Sequence, residues 1–471
     1  MKRQPILKKN DVITLKIEDI TNLGFGVGKH EGAVVFVSGT VSGDVAEVKI
    51  IKATSSYYVG KLINLIKRSD IRGEDRCGNK KCKSCAYREI KYEEELKIKE
   101  NTVRSAFLKE GLSDVKVLET TPSPALYEYR NKAQYPISKN KDGEYVIGFY
   151  APKTHTVCEA ADCPISPRIF QMILETLRTF FKKHDISVYD EATGNGLLRH
   201  VYLRRAEVTG DVLVTVVING ESLPYSDELI NVLTSAYTDV CGILLNINKE
   251  DTNIILGDKY KTLYGKDYIT DTLAGAMLKI TAPSFYQVNH GTATLIYEEA
   301  RRLAALTKND TLLDLYCGAG SIGLSMAEDA SELIGIEIID SAVECARYNA
   351  KLCGMENAYF YTGDAKNAES LLENAESEMG KKITPDVVIL DPPRAGCDEK
   401  LVKYVSSLSP KRIVYISCNP TTLARDVKRF RDFGFDTKEV APFDMFPMTG
   451  HVESVVCLTR RLDNELRERM N

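Results

Sequence analysis

The chain has no uninterrupted apolar run of about 18 residues, the length a membrane-crossing helix requires. Its opening residues, Met1-Lys2-Arg3-Gln4-Pro5-Ile6-Leu7-Lys8-Lys9, lack the apolar core of a secretory signal. A cytoplasmic protein that does not engage a membrane is therefore expected. No G-x-x-x-x-G-K-[ST] segment occurs, so the phosphate-cradling loop of common ATPases is absent. Internal repeats and low-complexity stretches are also missing, which excludes a solenoid. A net charge of −4 argues against a protein that is basic all over. What remains is ordinary globular composition, 44% hydrophobic and 27% charged, in 471 residues. That length suits two to four domains, each able to bury a core.

Charge and cysteine are unevenly placed. Residues 1–70 hold 11 Lys/Arg and 7 Asp/Glu, or +4; residues 301–471 hold 22 and 27, or −5. A basic front and an acidic back suit a polyanion bound on one side. Of the 12 cysteines, Cys77, Cys82 and Cys85 fall within nine residues. In a reducing compartment such a cluster reads as metal-binding or catalytic rather than disulfide-bonded.

Residues 10–66 read as five short strands with glycine-rich turns, the pattern of a small β-barrel. The cysteine loop follows at 71–90, then a helix at 91–112 with an apolar stripe, ended by Gly111. Residues 125–285 are mixed α/β, with a helix from Gln171 to Lys183 and strands at Arg199–Arg205 and Leu213–Ile218. From about 292 strands and helices alternate: a strand at 311–316, a helix at about 320–329, a strand at 332–337, a helix at 340–353. Further strands are read at 358–364, 387–391, 412–418 and 454–459. Such alternation predicts a doubly wound, mostly parallel sheet.

Four segments at predicted strand ends carry chemistry. Asp314-Leu315-Tyr316-Cys317-Gly318-Ala319-Gly320 joins a strand to a helix, and its glycines let backbone approach a ligand. Alone it also fits a dinucleotide site or a plain turn. Glu337 ends the next strand, where an acid can bind a ribose diol. Asp364, one strand later, could bind an adenine amino group. Together these resemble the S-adenosylmethionine (SAM) methyltransferase fold. Asp391-Pro392-Pro393-Arg394-Ala395-Gly396 is a rigid loop presenting an acid and a cation. Ile416-Ser417-Cys418-Asn419-Pro420 places a cysteine between a strand and a helix N-terminus, where a thiolate is favoured. In Thr449-Gly450-His451-Val452-Glu453-Ser454, Glu453 taken alone reads as an ordinary strand-edge acid; partly buried, it could serve as a general base.

The Asp391-Pro-Pro-Arg-Ala-Gly, Ser417-Cys-Asn-Pro and Thr449-Gly-His-Val-Glu-Ser segments, with Phe285-Tyr286-Gln287-Val288-Asn289, resemble the RNA uracil-C5 methyltransferases, the RumA/TrmA-like family. The N-terminal β-region resembles a TRAM domain, which the ribosomal-RNA branch carries and the TrmA type lacks. The resemblance runs nearly end to end and in order. It implies an α/β fold in three parts: a TRAM-like, OB-like barrel at 1–70 that binds RNA, a central α/β RNA-binding domain at 71–285 carrying an iron–sulfur loop, and a Rossmann-like SAM domain at 286–471. Residues 91–119 could pack on the last of these. It implies Cys418 as nucleophile on uracil carbon 6 and Glu453 as the base that removes the carbon-5 proton. Asp391 would lie between uracil and cofactor. Gln287, Tyr316 and Glu337 would bind SAM, with Gly318, Gly320 and Asp364 lining the pocket. The family often has Phe where this chain has Tyr316, which keeps the aromatic contact.

The spacing Cys77-x4-Cys82-x2-Cys85 suits zinc or an iron–sulfur cluster, and by itself also fits a plant-type 2Fe–2S centre. It is not the C-x3-C-x2-C of radical SAM enzymes. The resemblance implies a 4Fe–4S cluster on Cys77, Cys82, Cys85 and Cys163. Cys158 is a rival for the last place, but Cys163 stands in the family's C-P-[IL] segment. The first two cysteines are one residue closer than in some members. The expected activity is methylation of a uridine in a loop or single strand of 23S rRNA by a monomer that uses no DNA. A tRNA uridine or an RNA cytosine are the alternatives within the same chemistry. A redox or binding protein is the alternative outside it, and a Cys418 buried away from any pocket would favour that.

Overall fold

The computed structural model describes residues 6–152, 154–160 and 162–461. Strands Val12–Ile20, Phe25–His30, Ala33–Ser38, Val45–Ala53 and Tyr58–Lys67 close into a barrel. Strict alternation turns Ile13, Leu15 and Ile17 inward against Val35, Val37, Val48 and Ile50. A parallel pairing of Ala33–Ser38 with Tyr58–Lys67 completes the closure.

The central sheet has seven strands. Its middle is Val212–Ile218, Leu198–Arg205 and Lys132–Lys139, side by side. Helices Arg168–Lys183 and Ser226–Ala236 cover one face, with Phe170, Ile173, Leu177 and Phe181 packed on Tyr135, Val201, Leu203, Val214 and Val216. The hairpin Tyr268–Leu273/Ala276–Thr281 lies at a junction. Its Ile269, Leu273 and Leu278 share one core with Tyr202 and Leu244 of this sheet and with Ile296, Leu312 and Val343 beyond.

The third sheet is the doubly wound one. Thr311–Leu315 is central; Glu332–Glu337 and Ala358–Thr362 lie on one side, Val387–Leu390 and Arg412–Ser417 on the other, all parallel. Chain order reverses at Thr311–Leu315, and in open α/β sheets ligands bind at the strand ends beside such a switch. Glu453–Arg460 runs antiparallel between Arg412–Ser417 and Glu439–Phe443. Glu453 is therefore not a strand-edge acid: its strand is hydrogen-bonded on both sides and the residue is buried. The helix expected at 320–329 is an α-helix at Ser321–Met326 followed by a 3-10 turn at Ala327–Asp329, a common tightening of a last turn. Helix Tyr92–Lys109 packs on helix Pro420–Asp432, and Lys116–Val117 extends the sheet beside Glu439–Val440.

One buried charge group joins the parts. Lys99 Nζ donates to Glu95 Oε1 at 2.9 Å and to the Asp444 carboxylate. Tyr92 hydroxyl also donates to Asp444, at 2.8 Å. Arg76, next to Cys77, reaches Glu95 Oε2 at 2.6 Å, and the Met448 N–H donates to Glu95 Oε1 at 2.7 Å. Buried ions persist only when paired and hydrogen-bonded, as these are. They fix residues 444–448, which lead to Glu453. The barrel meets the same loop: a Cβ on Gly450 would lie 2.3 Å from the Asn22 carbonyl oxygen, so only glycine allows this approach. Tyr87, in the cysteine loop, bridges the two, its N–H donating to Met448 O and its hydroxyl to Thr21 O.

Candidate active site

Cys418 follows strand Arg412–Ser417 and precedes helix Pro420–Asp432. The break is set locally. Asn419 caps the helix, accepting from the Thr421 N–H at 3.1 Å, and Pro420 fits the first helical position. Asn419 Nδ2 and Thr422 Oγ1 both donate to the Arg394 carbonyl, at 3.0 and 3.2 Å. The cysteine loop end and the Asp391–Gly396 loop are thus clipped together, with Cys418 half-buried between them.

Electrostatics show what shares the space. Burial pushes the Glu453 carboxyl up to about 8, helped by Asp391 and opposed by Arg394. Burial alone takes Asp391 to about 7. The Cys418 thiol is raised by burial, then by Glu453 and Asp391, while Arg394 opposes both as a charge and as a donor. Asp314 reaches about 8 through burial, offset by the Gly323 N–H at 3.0 Å and reinforced by Asp391 and Glu337. Its Oδ1 has no partner. Asp391 therefore touches the field of Cys418 and Glu453 on one side and of Asp314 on the other.

The second half of the cleft is built on the glycine turn. The Gly318 and Ile339 N–H groups donate to Glu337, at 3.1 Å on Oε2 and 3.0 Å on Oε1, so both carboxylate oxygens are oriented. Gly318 has φ +55° and open space where a Cβ would stand, so backbone is bare to a ligand. Gly320, φ +82°, starts the short helix at Ser321. Tyr316 holds the strained φ of +73°, with its side chain half-buried near Cys397, Asp398 and Asp364. Asp364 is held by the Lys366 N–H at 3.0 Å. The Gln287 carbonyl accepts from Asn131 Nδ2 at 2.9 Å, its side chain bears on the buried Tyr297 hydroxyl, and that hydroxyl meets Ser321 Oγ at 2.9 Å.

Cys77 and Cys82 of the cysteine loop and the distant Cys163 all bear on Cys85. Burial pushes the Cys85 thiol up to about 12, with Cys163, Cys77 and Cys82 all adding to the shift. Cys85 and Cys163 pack in one small core with Tyr129, Ile165 and Met448. Cys158 feels only Cys82 among the thiols. Among the described residues no three His, Cys, Asp or Glu side chains approach closely enough for a single metal ion. All four thiols are free.

Sequence patterns single out the loop ends but not everything that shapes them. Asp314 was visible within the glycine motif, yet its burial with an unpartnered oxygen depends on Gly323 and the folded sheet. Arg394 was visible as a loop cation, and only the folded contact puts it beside Cys418. Lys99 and Asp444 lie 345 residues apart and no local signal joins them.

Residues 91–461 match the profile of the tRNA (uracil-5-)-methyltransferase family. The chain belongs to this family. Its members are SAM-dependent RNA uracil-5 methyltransferases, and here the family's α/β domain follows a TRAM domain matched over residues 7–63. An uncharacterised RNA methyltransferase of Clostridium acetobutylicum is 39% identical over 458 residues, 96% of this chain and 98% of that relative. One from Oceanobacillus iheyensis is 37% identical over 465 residues, 98% of this chain and 100% of that relative. The crystal structure of a Pyrococcus abyssi tRNA (uracil-54, C5)-methyltransferase with S-adenosyl-L-homocysteine (SAH) superposes with a TM-score of 0.76 at 26% identity, covering 95% of this chain and 100% of that one.

The Glu453 shift has a stability consequence. Its carboxyl holds a proton up to about 8 in the fold and to about 4.3 when unfolded. The protonated form's contribution is complete below about 4.3 and is lost as pH rises through 8. Glu453→Gln removes this loss. Denaturant midpoints should show the variant gaining a few kcal/mol on wild type between pH 5 and pH 9. A constant difference across that range would contradict a buried, unpaired Glu453.

Proposed function

We propose that the chain methylates carbon 5 of a specific uridine in 23S rRNA through a covalent adduct to Cys418. The observation that carries this is that Cys418, Glu453, Asp391 and Arg394 bear on one another at one edge of the doubly wound sheet. Carbon 5 of uracil is a weak nucleophile. The Cys418 thiol loses its proton to solvent, assisted by Arg394, and the sulfur adds to carbon 6. The π electrons move to the carbonyl as an enolate, and carbon 5 becomes the nucleophile. Bound SAM supplies the methyl group. Ionised Glu453 then takes the carbon-5 proton, and the C–S bond breaks to release Cys418. Asp391 accepts a hydrogen bond from the base between the two centres. Gln287, Tyr316, Glu337 and Asp364 hold the cofactor, with Gly318 and Gly320 opening the pocket. The enzyme acts as a cytoplasmic monomer.

Cys77, Cys82, Cys85 and Cys163 would hold a 4Fe–4S cluster. Cys77, Cys82 and Cys163 all bear on the Cys85 thiol, which supports one shared site for the four. A bound cluster would tie the loop to the central domain. Protein purified without air is expected to contain iron and sulfide; one equivalent of zinc and no iron would refute this.

A tRNA uridine is the second reading. The barrel alone does not separate the two, because the archaeal tRNA structure aligns over 95% of this chain. The deciding experiment incubates unmodified rRNA and tRNA with labelled SAM and maps the modified base. Label at carbon 5 of one 23S uridine is the expected result; label in tRNA, or on cytosine, would replace it. Cys418→Ala should abolish labelling while SAM binding persists. Activity within tenfold of wild type would remove the nucleophile assignment.

A further inference from the structure

The central sheet carries a charge arrangement that the free fold leaves unbalanced. Lys132 and Arg204 are directly opposed on the antiparallel strands Lys132–Lys139 and Leu198–Arg205. Their side chains rise from one face, and like charges so placed repel. Both lie against one ring, Lys132 Nζ 5.8 Å and Arg204 Cζ 5.5 Å from the centre of Tyr202. Arg130 adds a third cation, its Nε donating to the Lys132 carbonyl at 3.1 Å. Arg204 is buried and donates to the carbonyls of Ala282 and Ser284, which orient it without neutralising it. Among the described residues the charges that bear on Lys132 are Arg204 and Arg130, and no carboxylate does. Burial and these two cations bring its ammonium down to about 8.

The cluster borders the cleft. Asn131, between Arg130 and Lys132, donates through Nδ2 to Gln287 O and through its N–H to Val288 O, both at 2.9 Å. The segment Arg204 holds ends in Phe285, whose side chain is 70% exposed. A cation cluster beside an exposed aromatic is how single-stranded nucleic acid is held, phosphate on the cations and base on the ring.

We propose that Lys132, backed by Arg130 and Arg204, seats a phosphate of the RNA strand that enters the cleft at Gln287. The assignment rests on RNA being the substrate. An arriving phosphate converts a repulsive pair into charge-assisted contacts, and the repulsion is already present in the free fold. A phosphate seated here fixes the strand's register beside Phe285.

The test is fluorescence anisotropy with a labelled, uridine-rich single-stranded RNA, SAH present, over a salt series. Lys132→Gln should bind about tenfold more weakly at low salt, the loss of one charge-assisted contact. Its log–log salt slope should flatten by about 0.7. Lys132→Arg should restore both. SAH affinity reports the fold, and Lys132→Met replaces glutamine if that variant loses it. Wild-type affinity and slope in both neutral variants would overturn the phosphate site and leave RNA as substrate. Weaker binding with an unchanged slope would also overturn it, since the lost contact would not be ionic. Failure of the wild type to bind RNA at any salt would instead overturn the RNA reading, and this site with it.

Discussion

Two buried carboxyl groups, Asp314 and Glu453, and the half-buried Asp391 lie at one edge of one sheet, and among the described residues Arg394 is the single cation that bears on any of them. Buried acids without cations are costly, and each responds by holding its proton near or above neutral pH. A core built for stability alone would not gather them. They stand on one edge of the sheet, at the ends of Thr311–Leu315 and Val387–Leu390 and, beyond the intervening Arg412–Ser417, the start of Glu453–Arg460. An acid-lined cleft with neutral acids attracts a cation, and a cation inside it lowers those pKa values again. The sulfonium of SAM is such a cation.

The cleft depends on residues far from it. The loop from Asp444 to Gly450 has no regular hydrogen-bond ladder of its own and leads directly into Glu453. Lys99, Glu95 and Tyr92 hold its start, Tyr87 its middle and the barrel turn at Asn22 its end. Arg76 ties the same group to the loop that carries Cys77, Cys82 and Cys85. Whatever orders the cysteine loop therefore orders the approach to Glu453. This gives the cysteine set a structural consequence at the cleft without a part in the chemistry.

The doubly wound sheet was legible because its strands are continuous apolar runs bounded by Gly, Asp and Pro, and the barrel because its strands alternate. Cys418, Asp391 and Glu337 were legible for a related reason: in a parallel sheet every strand end faces the same side. Glu453 taken alone reads as a strand-edge acid, and its burial comes from Glu439–Phe443 pairing on its far side, a contact no local pattern encodes. Helix Ser226–Ala236 escaped notice because it opens on Tyr225 at φ +59° with no capping side chain. The opposition of Lys132 and Arg204 exists only in the register of two strands some 70 residues apart. The cysteine spacing leaves zinc and iron–sulfur open, and the folded loop adds which thiols face one another.

Calorimetric titration of SAM and of SAH, in two buffers of different ionisation enthalpy near pH 7.5, tests the acid cleft most directly. SAM carries the sulfonium and SAH does not, while the two share every other group that binds. If Asp314, Asp391 and Glu453 wait protonated for a cation, SAM must release more protons on binding than SAH does. Equal release by the two ligands would contradict it.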